Sequence, residues 1–509
     1  MDYALKSRMV NAVSEILDTV SQQPVDLDFT LPDYCADMEK ILKCTLDVKI
    51  YTRNISAGQL RIDGASVVRI LYLDSNKTIL RCCEQTLPFS ATFPVNSQLG
   101  VNVILASAKP EYLNCRALSP RRVSVHGAFS LHACVLSRVN LDLFEETSEP
   151  ALQVMPMSSS VCELCDFSQD QFSLSETVSL SSKSIIESIV RSELTATLTD
   201  CKPAGDKYMI KGEITLRMLY ICDSATGETD RFVYVFPFTQ MLDKGESDCE
   251  IADVRLSVLS HELLLKSEPL SEDPVVGIDA KLCATVMGYN PREVTYISDA
   301  YSTDCITEPE YDFVELCTNI LPVSVNTMSK STLSLGDVDV QKILDIFTEN
   351  PTADAEIKDS SLNFSGKVNV CILAYTQEGE LIAIERSVEF AHQEMLHESF
   401  SAVKSLSAQV TSISYRLGDG NEIELRFELK LSAQLSSCES IRQVKFVKTV
   451  ADSELPSDRC ALTLYYAQAG EKVWDIAKRY NASMESLCSE NSLSEDTLQA
   501  CGMLLIPHV

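Results

Sequence analysis

From residue 208 to 221 the chain reads Tyr-Met-Ile-Lys-Gly-Glu-Ile-Thr-Leu-Arg-Met-Leu-Tyr-Ile. Its even positions, Tyr208, Ile210, Gly212, Ile214, Leu216, Met218 and Tyr220, are apolar apart from the glycine, while Lys211, Glu213, Thr215 and Arg217 fall between them. A period of two held over this length specifies a β-strand with one face buried and the other wet. Related stretches occur at residues 60–73 and 362–375. The chain reads as one β module used three times.

Fixed spacings support the repeat. Ile41, Ile189 and Ile343 each precede a strand glycine, Gly64, Gly212 or Gly366, by 23 residues. A phenylalanine recurs 24 to 26 residues after each glycine, at Phe89, Phe238 and Phe390. Tyr72 and Tyr220 lie eight residues beyond their glycines, whereas Ala374 takes that place in the third copy. The interval between copies, about 150 residues, is far above solenoid periods, so these are tandem domains rather than a stacked array.

A chain of 509 residues fits three to four domains. With a net charge of −30 and no Lys/Arg stripe, it repels nucleic-acid backbones, and no nucleic-acid partner is expected. The N-terminus lacks the apolar core of a signal peptide, and no stretch approaches 18 continuous apolar residues, so neither export nor a transmembrane segment is expected. Nineteen cysteines in such a chain are expected to be thiols in a reducing cytosol. Cys134, Cys222, Cys283 and Cys371 fall within strand patterns and read as small buried apolar groups. The single C-x-x-C, Cys162 and Cys165, has no second pair or spaced histidines.

Taken in order, residues 1–30 carry apolar residues at 5, 9, 12, 13, 16, 17 and 20, the pattern of an amphipathic helix followed by a connector. Pro32 and Asp33 suit a second helix start. The three modules are expected over 31–150, 175–305 and 325–450, with residues 155–160 and 454–459 as linkers. In the first, Val125, Phe129, Leu131 and Val135 share one strand face, and His126 and His132 share the solvated one. The third has the cleanest strand: Ile423, Leu425, Phe427, Leu429 and Leu431 alternate with charged residues after a hairpin turn at 418–421. The fold class is therefore mainly β: three antiparallel β-sandwich-like modules, an N-terminal helix, and at 460–509 a small β-α-α-β domain.

That last segment resembles a LysM domain. Tyr466, Gly470, the run from Trp474 to Tyr480, Leu487, Asn491, Leu493, Leu498, Gly502, Leu504, Ile506 and Pro507 match at the spacing of that family. The resemblance implies binding of N-acetylglucosamine glycans such as peptidoglycan in a groove formed by Gly470, Glu471, Lys472 and Val473 on one loop and Ser492, Leu493 and Ser494 on the other. Lys472 stands where the family prefers Thr or Ser, and Met503 where it prefers Gln. Trp474, at helix spacing with Ala477, reads as core rather than as a sugar platform.

The three modules resemble SPOCS domains of spore-coat and sporulation proteins from endospore-forming Firmicutes. The supporting residues are Leu31-Pro-Asp-Tyr34, Glu39-Lys-Ile-Leu42, the strand from Gly64 to Tyr72, and Leu87-Pro-Phe-Ser90, with the first copy closest and the third loosest. This resemblance implies a mother-cell cytosolic protein at the forespore surface that contacts the coat-basement morphogenetic ATPase or another coat protein. No catalytic constellation is present: there is no G-x-S-x-G and no P-loop, and His392 and His397 are five apart rather than at helical zinc spacing. No enzyme activity, metal or cofactor is expected. Three readings of the function remain: a sporulation scaffold whose LysM groove docks a coat protein, a wall- or cortex-associated glycan binder, and an enzyme anchored by its LysM domain, which the absence of any catalytic motif disfavours.

Overall fold

The computed structural model describes residues 3, 5–75, 79–95, 102–180, 186–223, 226–245, 248–266, 274–336, 338–418, 421–454 and 461–507. The first unit comprises β1 (Leu5–Thr30), β2 (Met38–Ser56), β3 (Gln59–Asp74), β4 (Leu80–Pro94), β5 (Asn102–Ser119) and β6 (Arg122–Thr147). They form two antiparallel sheets, ordered β1-β6-β5 and β2-β3-β4. The second unit repeats this with β7 (Leu152–Ser179), β8 (Ser188–Ala204), β9 (Lys207–Asp223), β10 (Glu228–Asp243), β11 (Ile251–Lys266) and β12 (Val275–Ser302). The third does so with β13 (Cys305–Ser334), β14 (Val340–Lys358), β15 (Ser361–Thr376), β16 (Leu381–Met395), β17 (Ala402–Leu417) and β18 (Glu422–Glu454). In every unit the closing strand pairs with both the opening and the fifth strand, and the second, third and fourth strands make the other sheet.

Each unit buries its core between its two sheets. In the second, Ile210, Ile214 and Leu216 of β9 cluster with Val276, Ile278 and Leu282 of β12, all at most 1% exposed. The third packs Leu362, Phe364 and Ile372 on Leu425, Phe427 and Leu429, and the first packs Ile62, Val68 and Ile70 on Val125, Phe129 and Leu131. These are the alternating positions of the sequence, and the sandwich expectation holds.

The repeat landmarks have a common physical cause. Gly64, Gly212 and Gly366 pair directly with Phe89, Phe238 and Phe390 on the next strand. A Cβ on Gly64, Gly212 or Gly366 would lie 2.7, 2.5 or 2.6 Å from the facing ring, and 2.2, 2.6 or 2.0 Å from a carbonyl of the preceding strand. A β-bulge brings that carbonyl close, at Ile50/Thr52, Leu198/Asp200 and Glu349/Thr352. Each glycine makes room for a ring laid across the strand, which restores the packing that a missing side chain removes.

Several local expectations are corrected. The helix expected at the N-terminus is β1, paired with β6 along its length. Its bulge between Glu15 and Leu17 shifts the alternation midway, so apolar residues on a bent strand imitate a helical period, and the pairing of backbone groups to β6 decides the outcome. No helix starts at Pro32; residues 33–35 turn and β2 begins at Met38. The Arg121 guanidinium holds that turn by donating to the carbonyls of Leu31, Pro32 and Cys35. The expected linker at 155–160 lies inside β7, where exposed Met157 and Ser158 have their backbones laddered to β12. The expected linker at 454–459 falls, after Glu454, outside the described residues. Cys44 on β2 and Cys115 on β5 are joined as a disulfide across the two sheets of the first unit, so the cysteines are not all thiols. Cys134, Cys222, Cys283 and Cys371 are buried as expected.

The units are not beads on a string. Leu71 and Leu73, Leu219 and Ile221, and Cys371 and Leu373 come from the outward faces of β3, β9 and β15 and form one three-way apolar junction. A second junction draws Val10 and Leu143, Val161 and Tyr296, and Leu316 and Ile441 from the long opening and closing strands. In the ladders, Leu71, Leu219 and Leu373 face Lys43, Arg191 and Asp345. Lys43 reaches into the third unit to Glu349 at 2.8 Å and Glu385 at 2.7 Å. Arg191 of the second unit stacks 4.2 Å from the Phe347 ring centroid and lies 3.7 Å from Asp345. Among the described residues, no helix is long and apolar enough to cross a membrane.

Candidate functional site in the terminal domain

The terminal domain consists of β19 (Leu462–Ala467), α1 (Val473–Tyr480), α2 (Met484–Asn491) and β20 (Gly502–Pro507), with β19 antiparallel to β20. Ala467, Leu504 and Ile506 lie on the helix side of the ribbon and pack with Ile476, Ala477 and Leu487. Ser483 caps α2, its Oγ accepting from the Ser486 amide at 3.4 Å. Asn491 closes the domain: its Nδ2 donates to the carbonyls of Leu487 and Leu505, and its Oδ1 accepts the Leu505 amide at 2.7 Å.

Residues 470–473, expected to form one side of a groove, lie between β19 and the first turn of α1. Gly470 takes a positive φ of 90°, and its amide donates to the Leu498 carbonyl at 2.8 Å. The Leu498 amide returns to the Glu471 carbonyl at 3.0 Å, Lys472 bridges Thr497, and the Val473 amide donates to the Asp496 carbonyl at 2.9 Å. Residues 470–473 are thus stitched to 496–498, a segment that the sequence reading did not assign to the groove, although Leu498 is one of its matched positions. Ser492 is the left-handed C-cap of α2, with φ 52°, and the Leu493 amide donates to the Cys488 carbonyl at 2.9 Å. Gly470, Lys472, Ser492 and Ser494 are exposed, Glu471 and Leu493 half-buried, and Val473 buried. Lys472 is the N-cap of α1 and supplies no side-chain cap bond, as its replacement of a hydroxyl residue implies. The Glu471 carboxylate instead accepts the Gln468 amide and the Tyr465 hydroxyl, each at 2.9 Å, and these bonds hold its pKa below the ordinary value.

The opposite face of the ribbon is apolar and open. Leu462, Leu464, Tyr466 and Met503 are 45%, 64%, 67% and 65% exposed, and Tyr466 pairs directly with Met503. The Gln-to-Met departure therefore places one more apolar group on an already apolar surface.

The helix face is docked on the second unit. Trp474, 8% exposed, packs edge-to-face on Tyr301 with centroids 5.0 Å apart. Its Nε1 donates to Asp299 at 2.9 Å, and Lys478, one turn on, reaches the same carboxylate at 2.6 and 2.7 Å. Tyr311 adds a hydroxyl donor at 2.8 Å. Burial pushes the Asp299 carboxyl up, but the bonds from Lys478, Trp474 and Tyr311 together hold it below the ordinary carboxylate range. The Tyr301 hydroxyl donates to the Ala482 carbonyl at 2.7 Å, and the Asn481 side chain donates to the Ser302 carbonyl at 2.8 Å. Trp474 is a core and docking residue.

Elsewhere, His132 pairs with Asp18 at 2.6 Å and His126 with Asp26, all four exposed on the β1–β6 ribbon. Among the described residues, no group of three or more His, Cys, Asp and Glu side chains is placed to hold a metal ion.

Comparison with protein families matches residues 37–117 and 185–261 to "SipL, SPOCS domain" and residues 465–507 to "LysM domain". No curated protein and no solved structure matches the chain. The two SPOCS matches begin just before β2 and β8 and take in the glycine–phenylalanine landmark of each unit; the third unit, outside both matches, shares their strand order and the Gly366–Phe390 pairing. Both families are binding domains rather than catalytic ones. The chain thus carries two segments that match the SPOCS domain and a C-terminal segment that matches the LysM domain.

Proposed function

We propose that this sporulation-related protein is a non-enzymatic scaffold that helps to assemble the spore coat around the forespore, with its LysM domain docking a coat-morphogenesis protein. The observation that carries this reading is the open apolar ribbon of Leu462, Leu464, Tyr466 and Met503, next to a groove whose helix-capping hydroxyl is replaced by Lys472. Contiguous exposed apolar surface of this kind marks protein contacts. A coat-basement morphogenetic ATPase in the mother-cell cytosol is the partner we favour, from the kinship with spore-coat proteins. The second reading, peptidoglycan binding, is favoured by the intact LysM fold and the exposure of Ser492 and Ser494. Titration of the full-length protein with N-acetylglucosamine oligomers, beside titration with the purified ATPase, separates the two. Binding of the ATPase with silence toward glycans supports the scaffold. Micromolar glycan binding without ATPase binding replaces it with a wall-associated role.

A further inference from the structure

The C-x-x-C of the sequence is not a pair in the fold. Cys162 is 4% exposed, and its Sγ contacts the Thr318 carbonyl of the third unit at 3.6 Å. Cys165 is the extra residue of a bulge in β7: its neighbours Leu164 and Asp166 pair with Tyr289 and Gly288, leaving Cys165 without a ladder partner. Its Sγ lies 2.6 Å from the Sγ of Cys249, which is 84 residues away on the connection between β10 and β11.

The seat of Cys249 is built by several groups. A Cβ at Gly288 would fall 2.2 Å from the Cys249 Sγ, so that glycine leaves the space that the thiol fills. The Asn290 side chain accepts the Glu250 amide and donates to the Asp248 carbonyl, each at 2.8 Å, clamping the backbone on both sides of Cys249. Asp166 accepts the Gly245 amide at 3.0 Å, and the Tyr208 hydroxyl lies 3.4 Å from the Cys249 Sγ. Two sulfurs held this way need little movement to reach the bonding distance of about 2.04 Å.

We propose that Cys165 and Cys249 form an oxidisable dithiol that closes to a disulfide when the protein meets a hydroperoxide, pinning the β10–β11 connection onto β7. In the first step one thiol loses its proton, the thiolate attacks the peroxide, the O–O bond breaks, and a sulfenic acid and hydroxide result, the hydroxide taking up the released proton to become water. The second sulfur then attacks the sulfenic sulfur, forming the S–S bond and releasing a second water. Two thiols and one hydrogen peroxide give one disulfide and two waters, the sulfurs losing the two electrons that the peroxide gains. Burial holds the Cys165 thiol protonated well above neutral pH, so closure speeds up as the solution is made alkaline.

The test uses the full-length protein, reduced, treated with hydrogen peroxide, alkylated after denaturation and digested with trypsin without reduction. The expected product links peptide 139–183, which contains both Cys162 and Cys165, to peptide 245–255, which contains Cys249. That species persists in Cys162→Ser and disappears in Cys165→Ser and Cys249→Ser. The wild-type product is read whether or not a variant folds. Recovery of both peptides fully alkylated, from a sample in which the Cys44–Cys115 bond has reformed, overturns the proposal. So does a bond between Cys162 and Cys165 that survives Cys249→Ser.

Discussion

Single residues carry much of this architecture, and two positions show it. Gly212 has no space for a side chain, because Phe238 and the Thr197 carbonyl would both meet its Cβ below 3 Å. Gly212→Ala is therefore expected to lower stability by about 1–3 kcal/mol, read as a fall in the calorimetric Tm. Gly502→Ala, at a position with nothing within 4 Å, is the matched control and should change it little. Asp299 gathers four donors, from Trp474, Lys478, Tyr311 and the Ala300 amide. Because its folded pKa lies below the unfolded value, its contribution is fully present above that value, about pH 4, and is lost as pH falls through the folded pKa. Trp474 is the one tryptophan of the chain, so its fluorescence reports the docking directly. The emission should shift toward that of an exposed indole as the solution is acidified below pH about 4, and Asp299→Asn should show the shifted spectrum at neutral pH.

At the level of elements, strands with regular alternation were legible. β9 and the start of β18 bury the side chains that their period of two assigns to the core, since register and burial repeat together along a strand. The landmark glycines and phenylalanines were legible as a repeat, although their cause, a ring over a glycine beside a bulge, is a contact between strands. The first strand of each unit was not legible. β1 carries a bulge that breaks its alternation, and the exposed serines around residue 158 sit on β7 only because β12 supplies backbone partners. In the terminal domain the β-α-α-β fold was legible from family spacing. The docking on Asp299 and Tyr301 was not, because its hydrogen bonds join residues 175 to 181 apart whose types are unremarkable alone. Helix α1 also offers a direct check on its cap. Lys472→Thr restores the missing hydroxyl and should stabilise the LysM domain by about 1 kcal/mol, measured as a higher denaturant midpoint for its unfolding.

Across the whole molecule, the three units are bound by apolar junctions that each unit only partly fills. Leu219 is 1% exposed in a cluster shared with Leu71 and Leu373. Leu219→Ala should cost about 2–5 kcal/mol through the cavity left at that junction, and its thermal transition should broaden or split as the units lose their coupling. Lys43 and Arg191, at equivalent places in two units, meet carboxylates supplied by the third, so the charges at the junction differ from unit to unit while the strand order repeats. A body of this kind holds its LysM domain with helix α1 against the second unit and the apolar ribbon of Leu462, Leu464, Tyr466 and Met503 exposed. The most direct test of the scaffold account is calorimetric binding of the full-length protein to the purified coat-basement ATPase, for the wild type and for the double variant Lys472→Glu with Tyr466→Ser. The account predicts measurable wild-type affinity that falls at least about tenfold, or by 1.4 kcal/mol, in the variant, whose fold is retained. Equal binding by both proteins, or binding of N-acetylglucosamine oligomers in place of the ATPase, would contradict it.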